Sequence, residues 1–224
     1  MIIETAWLKL YPTRKCEFEI QNAFGRTFLR NLFSRDELGN NFPDRDMFAL
    51  FDFDEAFDDW NGLEKKCDLE TDPCKGLSKQ LKRKSHYAML LPVPDIEALK
   101  RQVLDGNGKP WGKGSASHLS IELLFYTDDL LGQWFQKRAT SGGGEIIEFV
   151  GNKISFAKNF VPTLDAASFT IFQPIFDFIR SRSSAIKIVY KSNYATLIPA
   201  TPPTPISDEE GSHFIDYSYL VLST

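Results

Sequence analysis

Met47-Phe48-Ala49-Leu50-Phe51-Asp52-Phe53-Asp54 decides how the chain is read: an apolar run leads straight into two aspartates one residue apart. A continuous apolar run bounded by polar residues is the pattern of a strand buried on both faces, as in a sheet covered by helices. Ligands of such sheets bind beyond the carboxyl ends of the strands, which is where Asp52 and Asp54 fall. Side chains two apart on an extended strand share a face. Two carboxylates held together there are costly unless a cation or a partner neutralises them, and hard cations such as Mg²⁺ take carboxylate oxygens in this way. A solvated turn is the plainer alternative, because Glu55, Asp58 and Asp59 follow. An EF-hand is excluded, since the run from Asp52 lacks the glycine at the sixth loop position and the glutamate at the twelfth.

Upstream, Ile3, Trp7 and Leu10 recur at helical steps with Ala6 and Tyr11 beside them, which predicts an amphipathic helix over 2–11, stopped by Pro12. Residues 16–20 alternate and predict a short strand, and residues 26–38 predict a second helix ended by Gly39. Helix, strand, helix, strand argues for an α/β fold with a mostly parallel central sheet flanked by helices.

Downstream, residues 55–76 are acidic and then irregular, punctuated by Gly62, Pro73 and Gly76. Lys75, Lys79, Lys82, Arg83 and Lys84 form the densest basic run, read either as a solvated helix face or as a grip on phosphates. His86 to Leu91 is a second buried-strand candidate, closed by Pro92 and Pro94; if it lies beside the first, the loop after it faces the aspartates. The glycine-rich loop 105–118 carries Lys109 and Lys113 but matches neither phosphate-binding loop pattern. Leu119 to Phe125 sets Glu122 alone among apolar residues, so it either faces solvent or looks into a cation site. Residues 141–151 predict a glycine-rich hairpin or loop, followed by a helix from Lys153 to Phe160. Phe169, Ile171, Phe172, Ile175, Phe176 and Ile179 predict a core-packing helix over 168–180. The run 199–211, rich in proline, threonine and acidic residues, predicts a loose tail.

A chain of 224 residues with 42% hydrophobic and 25% charged residues is long enough to bury a real core. A net charge of −4 excludes a uniformly basic nucleic-acid binder but not a local basic face. Cys16, Cys67 and Cys74 are an odd set without a C-x-x-C pair, which fits free thiols in a reducing compartment. Cys67, Cys74 and His86 match no common zinc spacing. With neither a membrane-spanning apolar run nor a secretory leader pattern, a cytoplasmic location is expected.

The ordered set resembles a known family. An apolar strand ending in D-x-D (Asp52, Asp54), a later apolar strand ending in proline, an I-E-x-L-F segment (Ile121 to Phe125) and a K-x-x-F-A segment (Lys153 to Ala157) resemble the Toprim domain of the overcoming-lysogenization-defect (OLD) nucleases. Those domains are commonly fused to an ABC-type ATPase and associated with phage defence. The resemblance covers about residues 1–180, with 181–224 as a partly disordered C-terminal extension. It implies a DNA endonuclease or nickase using Mg²⁺ or Mn²⁺, held by Asp52, Asp54 and Glu122, with Lys153 (and Lys158 close by) offsetting charge. Lys79, Lys82, Arg83 and Lys84 would contact the DNA backbone. It also implies DNA as partner and an ATPase supplied from elsewhere, and leaves homo-oligomerisation open. The chain departs from the family in carrying no E-G-x-x-D strand ahead of the first helix, and Glu4 is a poor substitute. A late assigned start, a fragment completed by another chain and a degenerate, inactive domain are the readings of that departure.

Two other functions share the D-x-D. A haloacid dehalogenase-like phosphatase would use Asp52 as nucleophile and Asp54 as acid, recruiting Lys153 and the Asp128–Asp129 pair; against it, Glu55 follows the second aspartate. A Toprim-like module without its first strand would serve as a non-catalytic interaction domain offering a sheet edge.

Overall fold

The computed structural model describes residues 1–22, 25–43, 45–82, 86–140, 143–183 and 219–223. Its centre is β2 (Met47–Phe51), buried at every position. Beside it lies β5 (His86–Leu90), equally buried and parallel, with Met47 opposite His86 and Phe51 opposite Leu90. The sheet continues outward through β4 (Ser78–Leu81) and β3 (Lys65–Glu70), both antiparallel to their neighbours. On the other side, β8 (Tyr219–Ser223) runs antiparallel between β2 and β1 (Phe18–Asn22), giving the order β1-β8-β2-β5-β4-β3. The α/β expectation holds at this level, but the sheet is mixed: parallel pairing is confined to β2 and β5 among the described strands. The reason is connection length, because short links join β3 to β4 and β4 to β5, and such links suit antiparallel neighbours.

Helices cover both faces. Phe48 and Tyr87 stack at 5.1 Å and meet Phe178 of α7 (Gln173–Ser183) edge-on at 5.8 and 6.0 Å. On the opposite face, Phe33 of α2 (Arg26–Phe33) packs 5.4 Å from the His86 ring. The predicted helix 26–38 ends early, where the Ser34 hydroxyl donates to the Arg30 carbonyl at 2.8 Å. A short α3 (Glu37–Asn41) follows. The N-terminal helix α1 (Ile2–Leu10) buries Ile3, Ala6 and Trp7, and Trp7 meets Phe18 and Phe176 edge-on at 5.0 and 5.3 Å. The acidic stretch read as irregular instead holds α4 (Ala56–Asn61) and β3.

The second half wraps the carboxyl end of the sheet. After α5 (Glu97–Lys100) comes the glycine-rich loop, then a buried 3₁₀ segment over Ile121–Phe125. Next is the hairpin β6 (Phe135–Ala139) and β7 (Glu145–Phe149); the range 141–151, expected to be a glycine-rich hairpin or loop, holds only its second strand, and the first precedes it. A helical stretch opens with α6 (Lys153–Ser155), capped by the Asn152 side chain accepting from the Ser155 amide, and continues as a wider turn to Phe160. The predicted helix 168–180 is split into a 3₁₀ segment over Ala166–Phe172 and then α7, with Pro174 in the first turn where its missing N–H costs nothing. Residues 219–223 of the predicted extension belong to the main sheet, whereas the run 199–211 lies outside the described residues. No described helix is long and apolar enough to cross a membrane.

Candidate active site at the carboxyl end of the parallel pair

The chain leaves β2 directly into the two aspartates. Asp52 is buried at 4% exposure. Asp54 is half-buried and accepts a hydrogen bond from the Ala56 amide at 2.8 Å, which opens α4. Between them, Phe53 is fully buried and exchanges both backbone hydrogen bonds with Leu119, at 2.8 and 3.0 Å. This antiparallel bridge brings the residues flanking Phe53 beside those flanking Leu119, namely Ser120 and His118. Burial, and then the nearby Arg138 guanidinium, pull His118 below its ordinary value, opposed by Glu148 and Glu55.

Three residues beyond the bridge sits Glu122, 1% exposed within the 3₁₀ segment. Its Oε1 lies 3.4 Å from the Lys153 Nζ, presented from the first turn of α6. Its Oε2 is buried and accepts no hydrogen bond among the described residues. A carboxylate this deep needs a cation, and Lys153, itself 29% exposed, supplies one from the rim. The sequence left Glu122 either solvent-facing or inward-looking; it looks inward. Neither its pairing with Lys153 nor the bridge of Phe53 with Leu119 was legible from spacing.

The glycine-rich loop is fastened to the same site. The Gly114 amide donates to Asp58 Oδ1 at 3.0 Å, and a Cβ at Gly114 would lie 2.8 Å from the Glu55 carbonyl. Only glycine lets the loop approach the start of α4 this closely. Behind it, the buried Gln102 donates from Nε2 to the carbonyls of His118 (2.7 Å) and Ile147 (3.1 Å) and accepts from the Ile147 amide (2.6 Å). One side-chain amide thus ties β7 to the chain entering the site.

The basic run divides. Lys79 is 2% exposed; its ammonium donates to the Leu63 carbonyl at 3.0 Å and lies 4.1 Å from the centre of the Trp60 ring. It is therefore corrected from a DNA-facing cation to a buried one, because its strand position points it under α4. Lys82 is exposed and pairs with Glu64 at 3.1 Å, and Arg83 and Lys84 lie outside the described residues. Asp128 and Asp129, the pair a phosphatase would recruit, sit on an exposed turn where Asp128 accepts from the Tyr126 hydroxyl.

Among the described residues no group of three or more His, Cys, Asp or Glu side chains forms a metal cage. Asp52, Asp54 and Glu122 are nonetheless hard oxygen donors, and the orphaned Glu122 Oε2 is a donor atom without a partner. Mg²⁺ is ordinarily held by one or two carboxylates, with waters and substrate phosphates completing its shell, and Asp52 and Asp54 match that mode in donor type. Comparison with family models, with curated proteins and with solved structures returned no match to the chain.

Proposed function

We propose that the carboxyl end of the β2–β5 pair is a phosphodiester-cleaving site that works with Mg²⁺ or Mn²⁺ on DNA, as the resemblance to OLD-type Toprim nucleases implies. The observation that carries this reading is the burial of Asp52 at 4% exposure just past the end of β2, where sheets of this kind hold ligands, with a second carboxylate, Glu122, buried at 1% exposure 3.4 Å from Lys153. Chemistry on a phosphate needs negative oxygens for a cation and a positive group for developing charge, and these residue types supply both.

Asp52 and Asp54 would hold the cation, which supplies charge stabilisation at the phosphoryl oxygens. Asp54 is kept in place by the Ala56 amide, so one of its oxygens is already oriented. Lys153 would divide its charge between Glu122 and the substrate phosphate, and Glu122 would hold the lysine at the site rather than in solvent. Phe53, Leu119 and Ile121 are buried apolar neighbours of the carboxylates in the chain.

Thermal unfolding with and without Mn²⁺, on wild type and on Asp52→Asn/Asp54→Asn, tests the site, since a ligand of the folded state alone raises apparent stability. Wild type is expected to shift upward, the double variant not, and plasmid nicking to follow the same split. Equal shifts in both proteins would sink the assignment. A non-catalytic interaction module is the second reading, favoured by the Glu122–Lys153 pair, which already satisfies one carboxylate oxygen without a metal. A folded wild type with no Mn²⁺ shift and no nicking would give that reading the lead.

A further inference from the structure

Ahead of the segment that bridges to Phe53, the loop from 105 to 113 presents a group of side chains that the hydrolytic reading leaves unused. Trp111 is 38% exposed, although tryptophan is costly to leave in water. It is not loose: its indole Nε1 donates to the Arg101 carbonyl at 3.2 Å and its amide to the Val103 carbonyl at 3.1 Å. The base of the loop is closed by the Leu104–Pro110 bridge, and its tip by Asp105 Oδ1 accepting from the Asn107 and Lys109 amides at 2.8 and 2.9 Å. Lys109 and Lys113 stand two residues before and after Trp111 in the chain, both exposed, and Lys109 acts on the Asp105 carboxylate beside it. Past Lys113 the loop is pinned by Gly114 to Asp58 and runs on through His118 to the bridge with Phe53. An anchored, exposed indole with a lysine two residues to either side of it in the chain thus belongs to the segment that runs on to the bridge with Phe53.

We propose that Trp111, Lys109 and Lys113 form a platform for single-stranded nucleic acid, which feeds an unpaired strand to the Asp52–Asp54 end of the sheet. This deepens the phosphodiester reading and rests on it for the fate of the strand, but not for its binding. A base stacks on an exposed indole only when it is unpaired, whereas the lysines hold phosphates of any strand. Among the described residues no other tryptophan is exposed: Trp7 and Trp60 are buried, and Trp134 is stacked on Phe149.

The test is fluorescence anisotropy of a labelled 12-nucleotide single strand and of the matching duplex, with the full chain in EDTA at several salt concentrations. Wild type is expected to bind the single strand more tightly than the duplex. Trp111→Ala is expected to weaken single-strand binding by about tenfold, the range of a lost stacking contact, while Trp111→Phe retains most of it. Lys109→Ala/Lys113→Ala is expected to lower the salt slope by about 1.4. Unchanged binding by a folded Trp111→Ala protein overturns the proposal, as does equal affinity for duplex and single strand. The two readings fail separately. Trp111-dependent binding without cleavage in Mn²⁺ removes the hydrolase and keeps the platform; cleavage of duplex with Trp111-independent binding does the reverse.

Discussion

Replacing Lys79 with methionine isolates the one buried cation whose energetic consequence can be worked from the structure. Burial is the main cause that lowers its ammonium to about 8; Lys65 adds to the shift and Asp68 opposes it. In the unfolded chain a lysine titrates near ~10.4. Between those values the unfolded state binds more protons than the folded one, so wild-type stability rises with pH across that window. Below about pH 8 both states are protonated and the cost of burying the charge is fully present; above ~10.4 both are neutral and it is gone. At 1.36 kcal/mol per unit the whole effect is about 3 kcal/mol, of which about 2.5 is recovered by pH 10. Urea unfolding of wild type and Lys79→Met at pH 7, 8, 9 and 10 reads this as a difference, from which the other titrating groups cancel. Near pH 7 the two proteins are expected to be close in stability. The variant is relieved of the charge, but it leaves the Leu63 carbonyl unpaired and loses the contact with Trp60. As pH rises wild type should pull ahead, mostly above pH 8. A difference that stays flat from pH 7 to 10 would refute the reasoning.

Lys153→Met should cost about 3–5 kcal/mol, because Glu122 at 1% exposure loses its cation; Glu122→Gln/Lys153→Met should restore most of this in urea midpoints. Gln102→Leu keeps the volume but leaves three buried backbone groups of His118 and Ile147 unpaired, for a loss of about 3 kcal/mol or more. Differential scanning calorimetry should show that loss as a fall of about 6–12 °C in a domain of this size. Gly76→Ala should cost about 2 kcal/mol or more, since φ is +83° and the added Cβ would lie 2.8 Å from the Leu90 carbonyl. A midpoint within error of wild type would show that the turn relaxes.

What the sequence showed was whatever is buried on both sides. The runs of β2 and β5 are apolar at nearly every position, and α1 repeats at helical spacing, so each was read close to its observed bounds. β3 was missed because it is an edge strand, its outer positions exposed and charged, as edges must be to resist unwanted pairing. Lys79 was misread for the complementary reason: a lysine among lysines carries no sign that its strand turns one of them under Trp60. Asp52 and Asp54 were legible because the apolar run points to them. The partnership of Glu122 with Lys153 was not, since a hairpin and thirty residues of chain separate the two, and spacing says nothing about contacts of that range.

The placement of β8 between β1 and β2 bears on how the fold is reached. β1 is held in the sheet through β8, a partner about two hundred residues later in the chain. This is contact of high sequence separation, the kind that slows folding because loop closure precedes any reward. During synthesis at about 5–20 residues per second, roughly 10–40 s pass between the making of β1 and of its partner. Throughout that interval β2 has an open edge of unpaired backbone groups beside a wholly apolar strand, which is the usual template for mispairing. The sheet is thus closed on that side only once residues 219–223 are made, and yield on expression is expected to depend on that last strand more than on any residue of the carboxylate site.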